Sequence, residues 1–285
     1  MTTRPGERPL YTERTPRVVA ARRLTRRTTR TQRAEFLAEG PQAVTEALNQ
    51  PDAARRVREL FGTDQALARH VGLGERAEAL GVPVSRVTAR GMTGLSETVT
   101  PQGLVAVCAA LDVPLSDALA GPPRLVAVLV DVRDPGNAGT VLRSADAAGA
   151  GAVVFAGDSV DPYNGKCVRA SAGSLFHLAV VRGAALADTV RTAHAVGLRV
   201  LAASGAGRHD LFDLADSGEL AGPTAWVFGN EARGLPAADA ALTDQAVRVP
   251  MAGRAESLNL AAAAAVCLFT SARAHRPDRP WTGRT

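Results

Sequence analysis

The sequence predicts an α/β protein in two parts: a C-terminal domain built on a parallel sheet, and a smaller N-terminal α/β domain. Continuous apolar runs such as LVAVLV, AVVFA and LRVLAA alternate with helical patterns in the C-terminal half, as expected for strands buried on both faces of a helix-covered sheet. Shorter apolar runs alternate with helices between Phe36 and Cys108. Between the two lies DVPLSDALAGPPR, whose three prolines exclude one long helix or a central strand and mark a linker. A chain of 285 residues also exceeds the usual length of one domain.

Residues 1–33 form a basic arm in which ten arginines face only Glu7 and Glu13. The whole chain carries +5, so the arm's +8 leaves −3 for everything else. Arginine pairs bidentately with phosphate, so RRLTRRTTRTQR suits a nucleic-acid backbone. A solvated tail or an Arg-rich transit peptide would read the same way. Residues 34–110 make the smaller domain: FLAEG, then PQAVTEALNQ with Pro41 in the first helical turn, VRELF, an amphipathic stretch from Gln65 to Leu80 closed by Gly81, VPVSRVT and GLVAVCA. These are strands and helices of a small layer fold.

Residues 111–124 are the linker, and 125–275 the parallel-sheet domain. Its elements run LVAVLV, a helix from Ala138, AVVFA, a helix around Lys166 to Ser171, LAVV, a helix to Val196, and LRVLAA. Two further strands, Trp226–Phe228 and Val247–Met251, are expected side by side. The tail 276–285 is expected to be disordered.

No apolar run approaches the roughly 20 residues of a membrane helix, and the N-terminus lacks a secretory apolar core. A cytoplasmic protein without a membrane partner is the expectation. Cys108, Cys167 and Cys267 show no CxxC pairing and no metal-ligand spacing, so neither disulfides nor a metal is expected.

Three stretches carry the polar residues that could do chemistry. The strand LVAVLV opens into DVRDPGNAGTVLRSADAAGA, where Asp134-Pro-Gly-Asn137 is turn chemistry and Asn137 a natural N-cap. Arg143 follows about two turns later, near the positive end of the helix dipole, where a cation gains nothing from the backbone. Either an anion approaches it or it reaches solvent. After Trp226–Phe228 come Gly229, Asn230, Glu231 and Gly234. The last strand leads through Gly253 to Ser257-Leu258-Asn259, with Ser257 the expected N-cap of an Ala-rich helix. Glycine-bearing loops at strand ends gather backbone groups around one crevice. Gly136 and Gly139 lack the G-x-G-x-x-G spacing of a dinucleotide site, and Gly205-Ala-Gly207 reads as an ordinary loop.

Taken in order and spacing, DVRDPGNAGTVLRSADAAGA, FGNEARGLP and VPMAGRAESLNLAAAAAV resemble the three motifs of the SpoU family of RNA ribose 2′-O-methyltransferases, in the SPOUT class, over Leu125 to Ala274. The resemblance implies a parallel α/β domain whose C-terminal segment is threaded into a trefoil knot, a rare topology. It implies S-adenosylmethionine as methyl donor, and an active site completed across a homodimer. Matched by motif position, Gly229, Val249 and Leu258 would hold the donor, and Asn137, Arg143, Glu231, Ser257 and Asn259 would form the polar site. FLAEGPQAVTEAL resembles the substrate-binding domain of ribosomal-RNA members, which makes ribosomal RNA, of the large subunit, the expected substrate.

The implied reaction is an in-line attack of a ribose 2′-oxygen on a sulfonium methyl. The family's arginine at the Arg143 position is often assigned as the base, but a guanidinium does not give up its proton readily. We therefore expect Arg143 to clamp an RNA phosphate, Ser257 and Asn259 to position the 2′-oxygen, and Glu231 to brace the loops. Competing readings are transfer-RNA methylation, against which the appended domain argues, and methylation of a drug-binding site on ribosomal RNA. An RNA-binding assembly factor without catalysis is opposed by the intact Arg143, Glu231, Ser257 and Asn259.

Overall fold

The structure, a computed structural model, describes residues 9–275. The tail 276–285 and the first residues of the basic arm lie outside them. The chain forms two compact units, one comprising the residues up to Leu111 together with Asp161–His177, the other Asp112–Val160 and the residues from Leu178 onward.

The smaller unit is built on a mixed sheet of β1 (Leu10–Tyr11), β2 (Glu35–Glu39), β3 (Val57–Gly62), β4 (Val84–Val87) and β5 (Leu104–Ala109), in the order β1-β4-β3-β5-β2. β5 runs antiparallel to both β2 and β3, whereas β4 lies parallel to β3 and β1. The amphipathic stretch after β3 is two helices, Asp64–Arg69 and Val71–Ala79, interrupted at His70 (φ −121°, ψ 50°). Its end follows the sequence reading: Gly81 takes φ +71° and donates to the Glu78 carbonyl while Val82 donates to Ala77, the paired bonds of a glycine-closed helix end.

From Leu10 the basic arm is folded, so the solvated-tail reading does not hold for residues 9–33. Helices Pro16–Arg22 and Arg27–Arg33 flank a short 3₁₀ turn. Val18, Ala21 and Leu24, three residues apart and so on one helical face, pack with Leu37, Phe61 and Val105. The density of arginines masks that apolar stripe. The segment Asp161–His177, though it falls between two strands of the parallel sheet, belongs to this unit by packing. Tyr163 stacks on Phe36 with ring centroids 4.6 Å apart, and its hydroxyl oxygen accepts the Leu111 amide at 2.6 Å.

The larger unit is organised on seven parallel strands: β6 (Leu125–Val130), β7 (Ala152–Ala156), β8 (Ala179–Ala184), β9 (Arg199–Ala203), β10 (His209–Asp210), β11 (Thr224–Phe228) and β12 (Gln245–Arg248), in the order β10-β12-β9-β11-β6-β7-β8. Every residue of β6, β7 and β11 is buried, as their unbroken apolar character requires. The stretch read as a linker contains the helix Leu115–Ala120, with Leu119 fully buried.

Two expectations about the last strands are corrected. β12 is Gln245–Arg248 rather than Val247–Met251, because Pro250 has no amide to offer a ladder and the apolar run continues into a loop. β11 and β12 are not neighbours: β9 lies between them, paired to both.

The three cysteines are buried and none forms a disulfide, and burial pushes the Cys108 and Cys267 thiols up to about 12. No helix among the described residues is long and apolar enough to cross a membrane, and no three potential metal ligands cluster there.

Candidate active site

In an open parallel sheet the carboxyl ends of the strands face a crevice wherever the strand order reverses direction. β6 has β7 on one side and β11 on the other, so the order reverses there. A cavity of about 510 Å³ opens beside it, at the ends of β9, β11 and β12. Phe228, Val247, Val249, Leu258, Leu260 and Ala263 give it apolar walls, while Gly205, Gly229 and Gly234 present backbone. A Cβ added at Gly205 or Gly234 would meet no protein atom within 4 Å, so their bare backbone faces open space. Asp210, Glu231 and Glu256 bring carboxylates to the lining, and Arg248 lies 3.6 Å from Asp210.

Beside the cavity a directed chain of hydrogen bonds ties three loops together. Glu231, after β11, accepts the amides of Arg133 and Asp134 at 3.1 and 3.0 Å and the Asn137 side-chain amide at 3.2 Å. Asn137 therefore turns its oxygen the other way, and that oxygen accepts from Asn259 at 3.0 Å. The Asn259 oxygen in turn accepts from the amides of Ala261 and Ala262. A carboxylate can only accept and helix-start amides can only donate, so the two ends fix the orientation of both asparagines. Burial pushes the Glu231 pKa up, but the amides around it and Asn137 outweigh this and hold it below the ordinary carboxylate range.

Glu231 is thus an ionised brace with its oxygens engaged. A folded-state pKa below the unfolded value means its contribution is complete above about pH 4.3 and is lost as pH falls through the lower value. Glu231→Gln should cost about 1 kcal/mol at pH 7, a modest figure because the side chain is solvent-accessible. The difference from wild type should shrink in acid. Urea titrations at pH 7 and pH 3.5 check this, and a penalty that persists undiminished at the lower pH would exclude the charge as its source.

Asn230 was absent from the expected site set and is central to the geometry. Its side-chain amide donates to the Asp131 carbonyl at 2.8 Å, and its oxygen accepts from Ala232 and Arg233. Asp131 itself sits at φ +52°, a costly conformation for a residue with a Cβ. Its carboxylate holds the Asp158 amide at 2.8 Å.

The two expected helix caps are reassigned. The helix Pro135–Ala147 is capped by Asp134, whose carboxylate accepts the Asn137 amide, which leaves the Asn137 side chain free for Glu231 and Asn259. The helix Leu260–Ala274 is capped by Asn259, not Ser257. Ser257 lines the cavity instead, exposed, with a hydroxyl that makes no hydrogen bond among the described residues.

Of the expected donor-binding residues, Gly229, Val249 and Leu258 all line the cavity, as do Glu231 and Ser257 of the polar set. Asn137 and Asn259 join through the hydrogen-bond chain. Arg143 does not. It lies past the middle of its thirteen-residue helix, not near the positive end of the dipole as expected. It is exposed, away from the cavity lining, and without a partner among the described residues. Ala203, the last residue of β9, and Ser204 and Gly205 beyond it complete the wall.

Fold and site together define an α/β domain with a cofactor-sized cavity at the carboxyl ends of a parallel sheet, joined to a second α/β unit. Residues 124–269 match the model of the SpoU rRNA methylase family, and residues 15–106 that of the MRM3-like substrate binding domain. The chain belongs to the SpoU rRNA methylase family.

Among its relatives, the 23S rRNA (guanosine(2553)-2′-O)-methyltransferase RlmP of Bacillus subtilis is 35% identical over 84% of this chain and 89% of that protein. The AdoMet-bound rRNA methyltransferase from Sinorhizobium meliloti superposes with a TM-score of 0.78 at 32% identity, over 91% of this chain and 95% of that one. The SpoU methyltransferase AviRb from Streptomyces viridochromogenes, in complex with AdoMet, gives 0.76 at 31% identity, over 91% and 98%.

Proposed function

We propose that the protein transfers a methyl group from S-adenosylmethionine to a ribose 2′-oxygen of large-subunit ribosomal RNA. The observation that carries this is the meeting of the cavity and the hydrogen-bond chain at Glu231 and the Ser257–Asn259 loop, in a family whose relatives include named 23S rRNA 2′-O-methyltransferases. The cavity fits the donor on its own terms. Its 510 Å³ falls in the range of about 300–1,000 Å³ for cofactor pockets, it offers both apolar walls and free backbone, and its carboxylates suit a cationic ligand.

Gly229, Val249 and Leu258 would hold the donor, which supplies when bound an electrophilic methyl on a sulfonium centre. Asn259 spends one side-chain N–H on Asn137 and keeps the other for a ribose oxygen. The unpaired Ser257 hydroxyl stands beside it in the same loop. Holding the 2′-oxygen in line with the methyl is where most of the rate gain in such a displacement originates. Glu231 keeps the three loops in register, and the proton released from the 2′-hydroxyl as the methyl is transferred passes to solvent water.

Arg143 lies off this cavity, so we assign it to the site of a second copy: a homodimer in which each Arg143 clamps an RNA phosphate beside the partner's cavity. Ala262 and Phe269 are exposed along the apolar helix Leu260–Ala274, a face suited to such a contact. The knot belongs to the same proposal. It is supported by the path from β11 across β9 to β12 and by the return of the final helix onto Pro135–Ala147.

Arg143→Lys loses the bidentate fork, and kcat/KM should fall by about 10–100-fold, on the order of 1–3 kcal/mol, with donor affinity unchanged. Near-full turnover would remove the clamp. Mixing an Arg143→Ala protein with a donor-blind variant should restore turnover that neither has alone, and no restoration would argue against the shared site. The reaction itself is tested by incubation with labelled donor and separate ribosomal and transfer RNA pools. Label on the ribose of a large-subunit nucleotide is expected, and label confined to transfer RNA would overturn the substrate.

A further inference from the structure

The smaller unit carries a groove that neither the donor cavity nor the hydrogen-bond chain uses. A polar recess of about 230 Å³ lies among Glu39, Gly40, Gln42, Thr98, Gln102 and Arg169. It shares Thr100 and Gln102 with a longer depression of about 690 Å³ that leads past Pro41 and Thr63 to Arg69 and His70. We propose that this groove binds one unpaired nucleotide of the RNA substrate, its base in the recess against Gln42 and Gln102 and its backbone phosphate over Arg69. The proposal rests on the methyltransferase reading above for the identity of the polymer, and on the groove for everything else.

The floor of the recess is built and charge-balanced. The Glu39 carboxylate, almost fully buried, accepts from Ser96, from Thr98 at 2.9 Å and from Arg169 at 2.8 Å. No net charge is left to repel a nucleobase, and the rim supplies recognition. Gln42 donates to Glu46 at 3.1 Å, which leaves its carbonyl oxygen for a base. Gln102 and Thr100 are exposed and have no partner among the described residues. An amide with one acceptor and two donors matches the mixed donor and acceptor edge of a base.

Gly40, at φ +93°, turns the chain at the rim of the recess in a conformation that a residue with a Cβ adopts only with strain. The recess is small beside the roughly 300 Å³ lower bound of ordinary cofactor pockets, a size that suits one flat ring system.

The longer depression has the electrostatics of a backbone track. Its lining contains no carboxylate, and its titratable side chains are Arg69 and His70. The nearby Asp64 carboxylate is occupied by Arg86, at 2.7 and 2.8 Å. Arg69 is exposed and has no partner among the described residues. A concave pocket beside a cationic track reads an unstacked base and cannot read a duplex, whose base edges are turned inward.

The test uses the full-length protein and a short fluorescein-labelled single-stranded oligoribonucleotide, with affinity followed by anisotropy across a salt series. Arg69→Ala should lower the slope of log affinity against log salt by about one. Gln42→Ala combined with Gln102→Ala should weaken binding about tenfold or more at unchanged slope. Donor affinity by calorimetry, which reads the other unit, should stay at the wild-type value in both.

RNA affinity and slope equal to wild type in either variant would overturn the proposal. So would a blunt RNA duplex or heparin competing as well as the single strand, since these report charge without a base pocket. If the variants lose the oligonucleotide as expected but the wild-type protein methylates no RNA, the groove stands and the methyltransferase reading falls.

Discussion

Gly229→Ala should reduce donor affinity about 100-fold, nearly 3 kcal/mol, while the protein stays folded. β11 ends at Phe228, and the next seven residues fold back on themselves: Asn230 donates to the Gly234 carbonyl at 3.0 Å and Gly234 returns the bond at 2.8 Å. That closure presses the backbone of Gly234 and Leu235 onto Gly229, where a Cβ would lie 2.5 Å from both the Gly234 oxygen and the Leu235 nitrogen. Backbone cannot rotate away as a side-chain tip can. Inserting one methyl into such a contact costs about 1–3 kcal/mol.

The cheapest relief is to open the 230–234 closure, which draws Glu231 from Arg133 and Asp134, and Asn230 from Asp131. The strain therefore appears as a deformed cavity wall more than as global unfolding. Calorimetry with S-adenosylmethionine and a thermal melt separate the two. Gly222→Ala, where an added Cβ meets nothing within 4 Å, is the matched control. Donor affinity within about twofold of wild type, under half a kcal/mol, would show that the loop yields without cost and that Gly229 is not a steric keystone.

How far the site could be read from residue types depended on whether the signal was local. Runs such as LVAVLV and AVVFA carry their burial in their own composition, so β6 and β7 were visible at once, and the glycine-bearing loops marked the carboxyl ends of strands. Which side chain capped which helix was not readable in the same way. Ser257 and Asn259 are both good caps, as are Asp134 and Asn137. The choice was made by a carboxylate ninety-odd residues away in sequence, since Glu231 occupies Asn137 and Asn137 in turn orients Asn259.

The position of β12 failed for a related reason. Its first two residues, polar Gln245 and small Ala246, start no apolar run, and the apolar Val249 and Met251 line a cavity instead of a sheet. Apolar character reports removal from water without saying whether protein or ligand does the covering. β10, two residues long, is too short to carry any period. Within the basic arm, composition hid structure: ten arginines read as a phosphate tracker, yet one of them is among the most buried charged residues of those described.

That residue gives the second large effect. Arg30, on the helix Arg27–Arg33, is 5% exposed. Its Nε donates to Asp161 at 2.7 Å, and one terminal nitrogen donates to the carbonyls of Leu24 and Thr25 at 3.0 and 2.8 Å. Asp161 is equally enclosed, and its second oxygen holds the Tyr163 amide at 3.0 Å.

Arg30→Met fills much of the same volume but takes the counter-charge from a buried carboxylate, which keeps the Tyr163 amide, and removes the donor to two carbonyl oxygens. The expected loss is about 3–5 kcal/mol in urea unfolding, a large share of the roughly 5–15 kcal/mol available to a folded domain. Asp161→Asn in the wild-type background leaves the guanidinium without its counter-charge and should also destabilise strongly. Combining the two should cost less than the sum of the single losses, because the second change removes the group that the first left unpaired.

The pair also says why Asp161–His177 packs with the smaller unit although the chain delivers it from β7 of the larger one. A fragment ending at Leu111 would bury Arg30 without a counter-ion, lose the ring stacked on Phe36, and leave the Leu111 amide without its acceptor. Such a fragment should fail to show a cooperative transition. A stability for Arg30→Met within about 1 kcal/mol of wild type, or cooperative folding of residues 1–111 alone, would mean that water or a neighbouring group satisfies Arg30 as well as Asp161 does.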